Sequence, residues 1–107
     1  SLDGDVARGG VSAEAEGPLI EAVVKSAGLR LAGVMAVAPL GWEPRRAFEV
    51  LADRAARVRG AVPEATVISA GMSGDFTEAI ACGASLLRLG AKLLGPRGDV
   101  RYAGLYE

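Results

Sequence analysis

The stretch "SAGMSGDFTEAIACGASLLRLGAK", residues 69–92, decides how this chain is read. Gly71, Ser73 and Gly74 stand close together just before an amphipathic segment, and the arrangement returns at Gly90 after "LLRL". A bend that only turns the chain needs one glycine. Two strand ends, each followed by small residues and a helix start, mark places where backbone must approach something closely.

Working outward, "ATVISAG" has the apolar, β-branched character of a strand that ends at Gly71. Ser73 then suits the cap of a helix over 74–83, with Asp75 in its first turn and Phe76, Ala79 and Ile80 facing inward. "SLLRLGA" reads as the next strand, and "KLLG" as a last turn or short helix. Upstream, Pro44 opens a helix over 44–61 whose inner face is Phe48, Leu51, Ala52, Ala55 and Val58. Its other face carries Arg45, Arg46, Glu49, Asp53, Arg54, Arg57 and Arg59, expected to be a solvated surface. "LRLAGVMAVA" is a nearly continuous apolar run of strand length, as expected for a strand covered on both faces of a parallel sheet. Before it, "PLIEAVVKSAG" reads as a helix with Pro18 at its first position, Leu19, Ile20, Val23, Val24 and Ala27 on one face, and Gly28 past its end. "GDVARGGVSAEAEG" is a loop, and "SLD" the expected last residues of a strand that began before Ser1. The order strand, helix, strand, helix, strand, helix, strand predicts an α/β fold with parallel pairing.

The expected strands are apolar, free of Pro and thinly charged, which describes central strands better than edges. Residues 1–107 are therefore expected to be the second half of a (β/α)8 TIM barrel, about strands 5–8 with their helices. A flavodoxin-like open sheet is the structural competitor. In barrels, phosphate is often held by the loops after the seventh and eighth strands. Here those are "AGMSGD" and "GAK", where Ser69 and Ser73 add hydroxyls to backbone donors.

Bulk composition narrows the classes. The chain has 107 residues, half of them hydrophobic, enough for one packed domain. Twelve basic and 13 acidic side chains give a net charge of −1 with no one-sign cluster, which argues against nucleic acid and membrane-surface partners. Cys82 is the sole cysteine, which fits a reducing cytoplasm, and with no charged partner in its sequence surroundings it reads as a small buried apolar residue. No histidine is present, removing the commonest general base and metal ligand.

The segment "ISAGMSGDFTEAIACGASLLRLGAKLLGPR" closely resembles the C-terminal signature of the pyridoxal phosphate homeostasis proteins, single barrels of the alanine racemase N-terminal-domain type. That signature runs Leu-Ser-Met-Gly-Met-Ser, an acidic residue and a helix with "EAI", then Val-Arg-Ile-Gly-Thr and Phe-Gly-Ala-Arg. "LAGVMAVAP" resembles the family's sixth strand, and "SLDGDVARGGV" the end of its fifth strand and the loop after it, so the likeness covers nearly the whole chain. The resemblance implies binding of pyridoxal 5′-phosphate (PLP) as a carrier or buffer in PLP homeostasis, with no catalytic residues assigned. It implies a PLP site of Ser69, Gly71, Met72, Ser73, Arg88, Gly90 and Ala91, with Arg88 near the pyridine nitrogen and Gly90–Ala91 at the phosphate.

Two departures matter. Ala91 replaces the usual Thr or Ser; a hydrogen bond to a charged group is worth about 1.5–3 kcal/mol. Lys92 offsets that loss if its ammonium reaches the anion. The Schiff-base lysine implied by the family lies on the first barrel strand, and neither Lys25 nor Lys92 matches it. It is expected in an N-terminal half-barrel outside this sequence, and that half-barrel, or self-association, is the expected protein partner. Two alternatives remain: a PLP-dependent alanine racemase, for which Tyr102 and Tyr106 are the available tyrosines, and a non-binding fragment that assembles through exposed strand edges. For Arg88 the plain reading is a structural ion pair; for Met35 and Met72, core packing; for Trp42, packing over the following helix or contact with the other half.

Overall fold

The computed structural model describes residues 1–96; Tyr102 and Tyr106, singled out above, lie outside the described residues. The element order is α1 (Glu16–Lys25), β1 (Gly33–Met35), α2 (Pro44–Ala61), β2 (Val67–Ser69), α3 (Phe76–Ala81) and α4 (Ala91–Leu94). β1 and β2 pair in parallel, with Gly33 opposite Val67 and Met35 opposite Ser69. Leu86 makes a parallel bridge to Ser69 on the other side of β2. β2 is thus the middle of three parallel segments, and their carboxyl ends face one way.

α2 spans the residues expected for it, with Pro44 at its start, because Pro lacks the N–H that a first turn cannot use. Its inner face buries Phe48, Leu51, Ala55 and Val58, and Ala47 with them. Phe48, Leu51 and Ala55 meet Ala36 of the chain leaving β1, Ile68 and Ala70 of the β2 segment, and Ala79 of α3 to form the core. At Gly33 the sheet is tight: a Cβ there would sit 1.8 Å from the Val67 carbonyl oxygen.

Three expectations change. "SLD" forms no strand; Gly4 N–H bonds Ser1 Oγ at 3.0 Å and Asp5 N–H bonds Asp3 Oδ1 at 3.1 Å, so side chains fold this backbone into a turn. The "SLLRLGA" strand contracts to the Leu86 bridge, followed by a bond from Arg88 N–H to the Gly71 carbonyl at 2.9 Å. α3 is shorter than 74–83, and its N-cap position belongs to Asp75 instead of Ser73, whose hydroxyl is engaged elsewhere.

The face of α2 expected to be solvated splits. Arg54 is buried: its Nε and Nη2 reach Glu16 Oε2 of α1 at 2.7 and 2.6 Å, Nη2 also reaches the Val11 carbonyl at 3.0 Å, and Nη1 the Ser1 carbonyl. Trp42 lies against the following helix, with the Arg46 guanidinium carbon 4.7 Å from its ring centroid.

The Asp5 backbone amide, joined by the Arg8 guanidinium, holds the Asp3 carboxyl below the ordinary aspartate range. A depressed carboxyl stabilises the folded form above its unfolded pKa and loses that contribution as pH falls through the lower folded value. Limited proteolysis of the 1–10 loop should therefore accelerate on acidification below the ordinary aspartate range, and Asp3→Asn should abolish that pH step.

Candidate functional site

At the carboxyl end of the sheet the chain makes two bends, one after β2 and one after the Leu86 segment. Ser69 closes β2, is buried, and gives its carbonyl to Ala36 N–H at 3.2 Å. Gly71 follows with φ +102°, a conformation that L side chains rarely adopt. A Cβ there would lie 2.8 Å from Ala79 Cβ, 3.0 Å from Leu87 Cδ2 and 3.1 Å from Phe76 Cα. The close approach at Gly71 is therefore to α3 and Leu87, which accounts for this glycine through packing.

The first bend is fixed by Asp75, whose Oδ1 accepts the Met72 N–H at 2.8 Å, while Asp75 N–H returns to the Met72 carbonyl at 3.1 Å. The two bends meet directly: Lys92 N–H donates to Ser73 Oγ at 3.0 Å. A hydroxyl that accepts one hydrogen bond keeps its own hydrogen free to donate. Gly90 has φ −122° and ψ −76°, on the ordinary side of φ but outside the common helical and extended regions. A Cβ on Gly74 or Gly90 would meet nothing within 4 Å, so the space beside both bends is open.

Arg88 reaches across the mouth of the sheet. Its Nη2 donates to the Ala36 carbonyl at 3.0 Å, and its buried Nε has no hydrogen-bond partner among the described residues. Among the described residues the acceptor is thus a carbonyl and not a carboxylate. A buried donor without an acceptor costs about 1–3 kcal/mol, a cost that an incoming acceptor would relieve.

Of the seven residues expected at the site, Ser73 and the Gly90–Ala91 bend are joined through Lys92 N–H. Gly71 and Arg88 are joined backbone to backbone, and Ser69 stands in register with Met35 and Leu86. Met72 is exposed beside them, and Ala91 and the Lys92 side chain face solvent. Lys25 is far from this role, exposed on α1 and 3.3 Å from Glu21. Three contributors were missed from sequence: Asp75 as the brace of the first bend, Lys92 through its backbone, and Ala36 through its carbonyl. Asp75 had a signal, an acid three residues after Met72 at the start of a helix; main-chain groups carry none.

No family model matches the chain. It is 46% identical over 99 residues to the pyridoxal phosphate homeostasis protein of Mycobacterium leprae, a match covering 90% of this chain and 38% of that protein. The protein of the same name from Mycobacterium tuberculosis is 44% identical over 100 residues, covering 91% and 39%. Among solved structures, PipY of Synechococcus elongatus without PLP is similar at a TM-score of 0.75 and 29% identity, over 89% of this chain and 46% of that one. PipY with PLP bound is similar at a TM-score of 0.67 and 30% identity, over 78% and 41%. The chain spans about two-fifths of the length of these curated relatives.

Proposed function

Since this chain belongs by sequence, over nine-tenths of its own length, with the pyridoxal phosphate homeostasis proteins, we propose that it is the phosphate-holding C-terminal half of a PLP-binding (β/α)8 barrel. On this reading its three parallel segments, β1, β2 and the Leu86 segment, stand in the wall of the barrel within the half expected to span about strands 5–8. Its proposed role is to hold PLP in reserve, a reading in line with the homeostasis named for the relatives. The observation that carries the proposal is the meeting of the two bends through Ser73 and Lys92, with a buried Arg88 donor that lacks an acceptor among the described residues.

The residues present fit the cofactor. The Ser73 hydroxyl hydrogen and the backbone of Gly90 and Ala91 are the donors for the phosphate; Ser69 stands at the end of β2 beside them. Arg88 is the cation for the pyridine nitrogen, where a fixed positive charge opposes protonation. When bound, PLP supplies an aldehyde and an electron-accepting ring; opposing ring protonation weakens that acceptor, which suits storage over turnover. Asp75 and Gly71 keep the first bend in shape, with Gly71 and Met72 lining it toward the cofactor. Among the described residues, no helix is long and apolar enough to cross a membrane.

The test is PLP titration of the chain paired with the rest of a relative's barrel, followed by quenching of Trp42, the single tryptophan. Inorganic phosphate should compete. Arg88→Met should weaken PLP binding by roughly 10- to 150-fold, the worth of a charged hydrogen bond. Ser73→Ala, which removes a hydroxyl donor to the charged phosphate, should weaken it by about 1.5–3 kcal/mol. Binding that ignores phosphate and both substitutions would refute the assignment. The 107 residues alone should give no absorbance near the visible edge with PLP, and a band there would move the covalent anchor to Lys25 or Lys92.

A further inference from the structure

The first bend turns a donor inward. Asp75 Oδ1 accepts the Met72 N–H at 2.8 Å, and the Asp75 N–H closes the turn on the Met72 carbonyl at 3.1 Å. The Met72 amide is therefore not offered to an incoming anion. What the bend offers is the Ser73 hydroxyl hydrogen, with a carboxylate two residues behind it. Consecutive Cα atoms are about 3.8 Å apart, so a phosphate bonded to Ser73 stands within about 10 Å of the Asp75 side chain.

That carboxylate has no cation to itself. None of the ion pairs among the described residues includes Asp75. The residue is half-buried, next to Gly74, where a Cβ would meet nothing within 4 Å. Glu78 adds a second acid in the first turn of α3. A helix start that would otherwise favour an anion thus carries acids of its own. The nearby cations belong to later segments: Arg88, whose Nη2 is committed to the Ala36 carbonyl, and Lys92, whose side chain faces solvent. To hold its shape the bend needs an acceptor at position 75, which a neutral amide oxygen would also supply. The negative charge is more than the turn requires, and it is adverse to a phosphate.

We propose that Asp75 sets the affinity of the phosphate seat: its unpaired carboxylate opposes the dianion held at Ser73 and keeps bound PLP releasable. The proposal rests on the cofactor reading above and adds the residue that governs release. At about 8 Å, one charge facing a dianion is worth about fivefold in water, and more where water is excluded. A reserve has to give up what it holds, and repulsion built into the seat does this without removing a donor.

The experiment titrates PLP, with inorganic phosphate as competitor, into the chain paired with the rest of a relative's barrel, at low salt and at about 1 M potassium chloride. Asp75→Asn keeps an acceptor for the Met72 N–H and removes the charge. It should leave the Met72 amide protected from hydrogen exchange, tighten both PLP and inorganic phosphate about five- to tenfold at low salt, and slow PLP release by a similar factor. At about 1 M salt, where the Debye length is about 3 Å, the gain should fall below about twofold. Asp75→Ala removes charge and brace together and should bind less tightly than Asp75→Asn. If Asp75→Asn does not fold, Asp75→Ser, with a neutral hydroxyl acceptor, carries the same expectation. Binding by the neutral variant no tighter than wild type overturns the proposal, as does a gain that salt leaves unchanged. A wild-type complex that takes up no PLP refutes the cofactor reading and this inference with it, whereas uptake that Asp75→Asn fails to tighten refutes this inference alone.

Discussion

Replacing Arg54 with Ala should lower the unfolding free energy by about 3–5 kcal/mol, the range found when one partner of a buried ion pair is removed. The size follows from what is left behind. Arg54 and Glu16 side chains are 8% and 14% exposed, so truncation strands a carboxylate in a place water barely enters. It also removes the donors to the Ser1 and Val11 carbonyls. Urea denaturation followed by circular dichroism would measure the loss. Replacing both members, Arg54→Met with Glu16→Leu, should cost less than Arg54→Ala alone, because no uncompensated charge remains. A double variant as unstable as the single one would place the energy in the carbonyl contacts. Hydrogen exchange in α1 should rise in Arg54→Ala, since this cluster fastens the helix.

Gly71→Ala is the second large effect. The φ of +102° costs an L residue about 1–3 kcal/mol. The new Cβ would also press on Ala79 Cβ at 2.8 Å and Phe76 Cα at 3.1 Å, and overpacking of this kind costs about 1–3 kcal/mol more. Neither neighbour is the free end of a flexible side chain, so the strain must move α3. Gly74→Ala, three residues on, has open space around it and should change stability by no more than about 0.5 kcal/mol. Equal losses at the two positions would show that loop entropy, not contact, sets the cost.

The parts of the fold legible in sequence were those governed by local chemistry. α2 announced itself through Pro44 and a 3.6-residue apolar stripe, and its observed bounds match. β1 and β2 were visible as apolar runs, and their parallel pairing followed from the helix between them. Arg54 was misread because its charge was taken to mean solvent, although its spacing from Leu51 and Val58 sets it at the edge of the inner face, where Glu16 and two carbonyls, 38 to 53 residues away in the chain, bury it. The outer strands were overcalled because strand length depends on a neighbour: among the described residues Leu86 pairs with Ser69 alone, and "SLD" is turned by its own side chains. At the candidate site, Ser73 and the second bend were found together by motif, but the glycines divided. Gly71 answers to packing and Gly90 to open space, a distinction that needs coordinates.

The Lys92 amide resting on Ser73 ties the start of one crossover to the start of the next. Linkage of this sort works equally in both directions. Whatever rearranges the hydroxyl must loosen the short final helix, and whatever pulls on that helix must be felt at the serine. A perturbation applied to either bend should therefore be readable as a chemical-shift change in the other, with no messenger beyond a single shared proton.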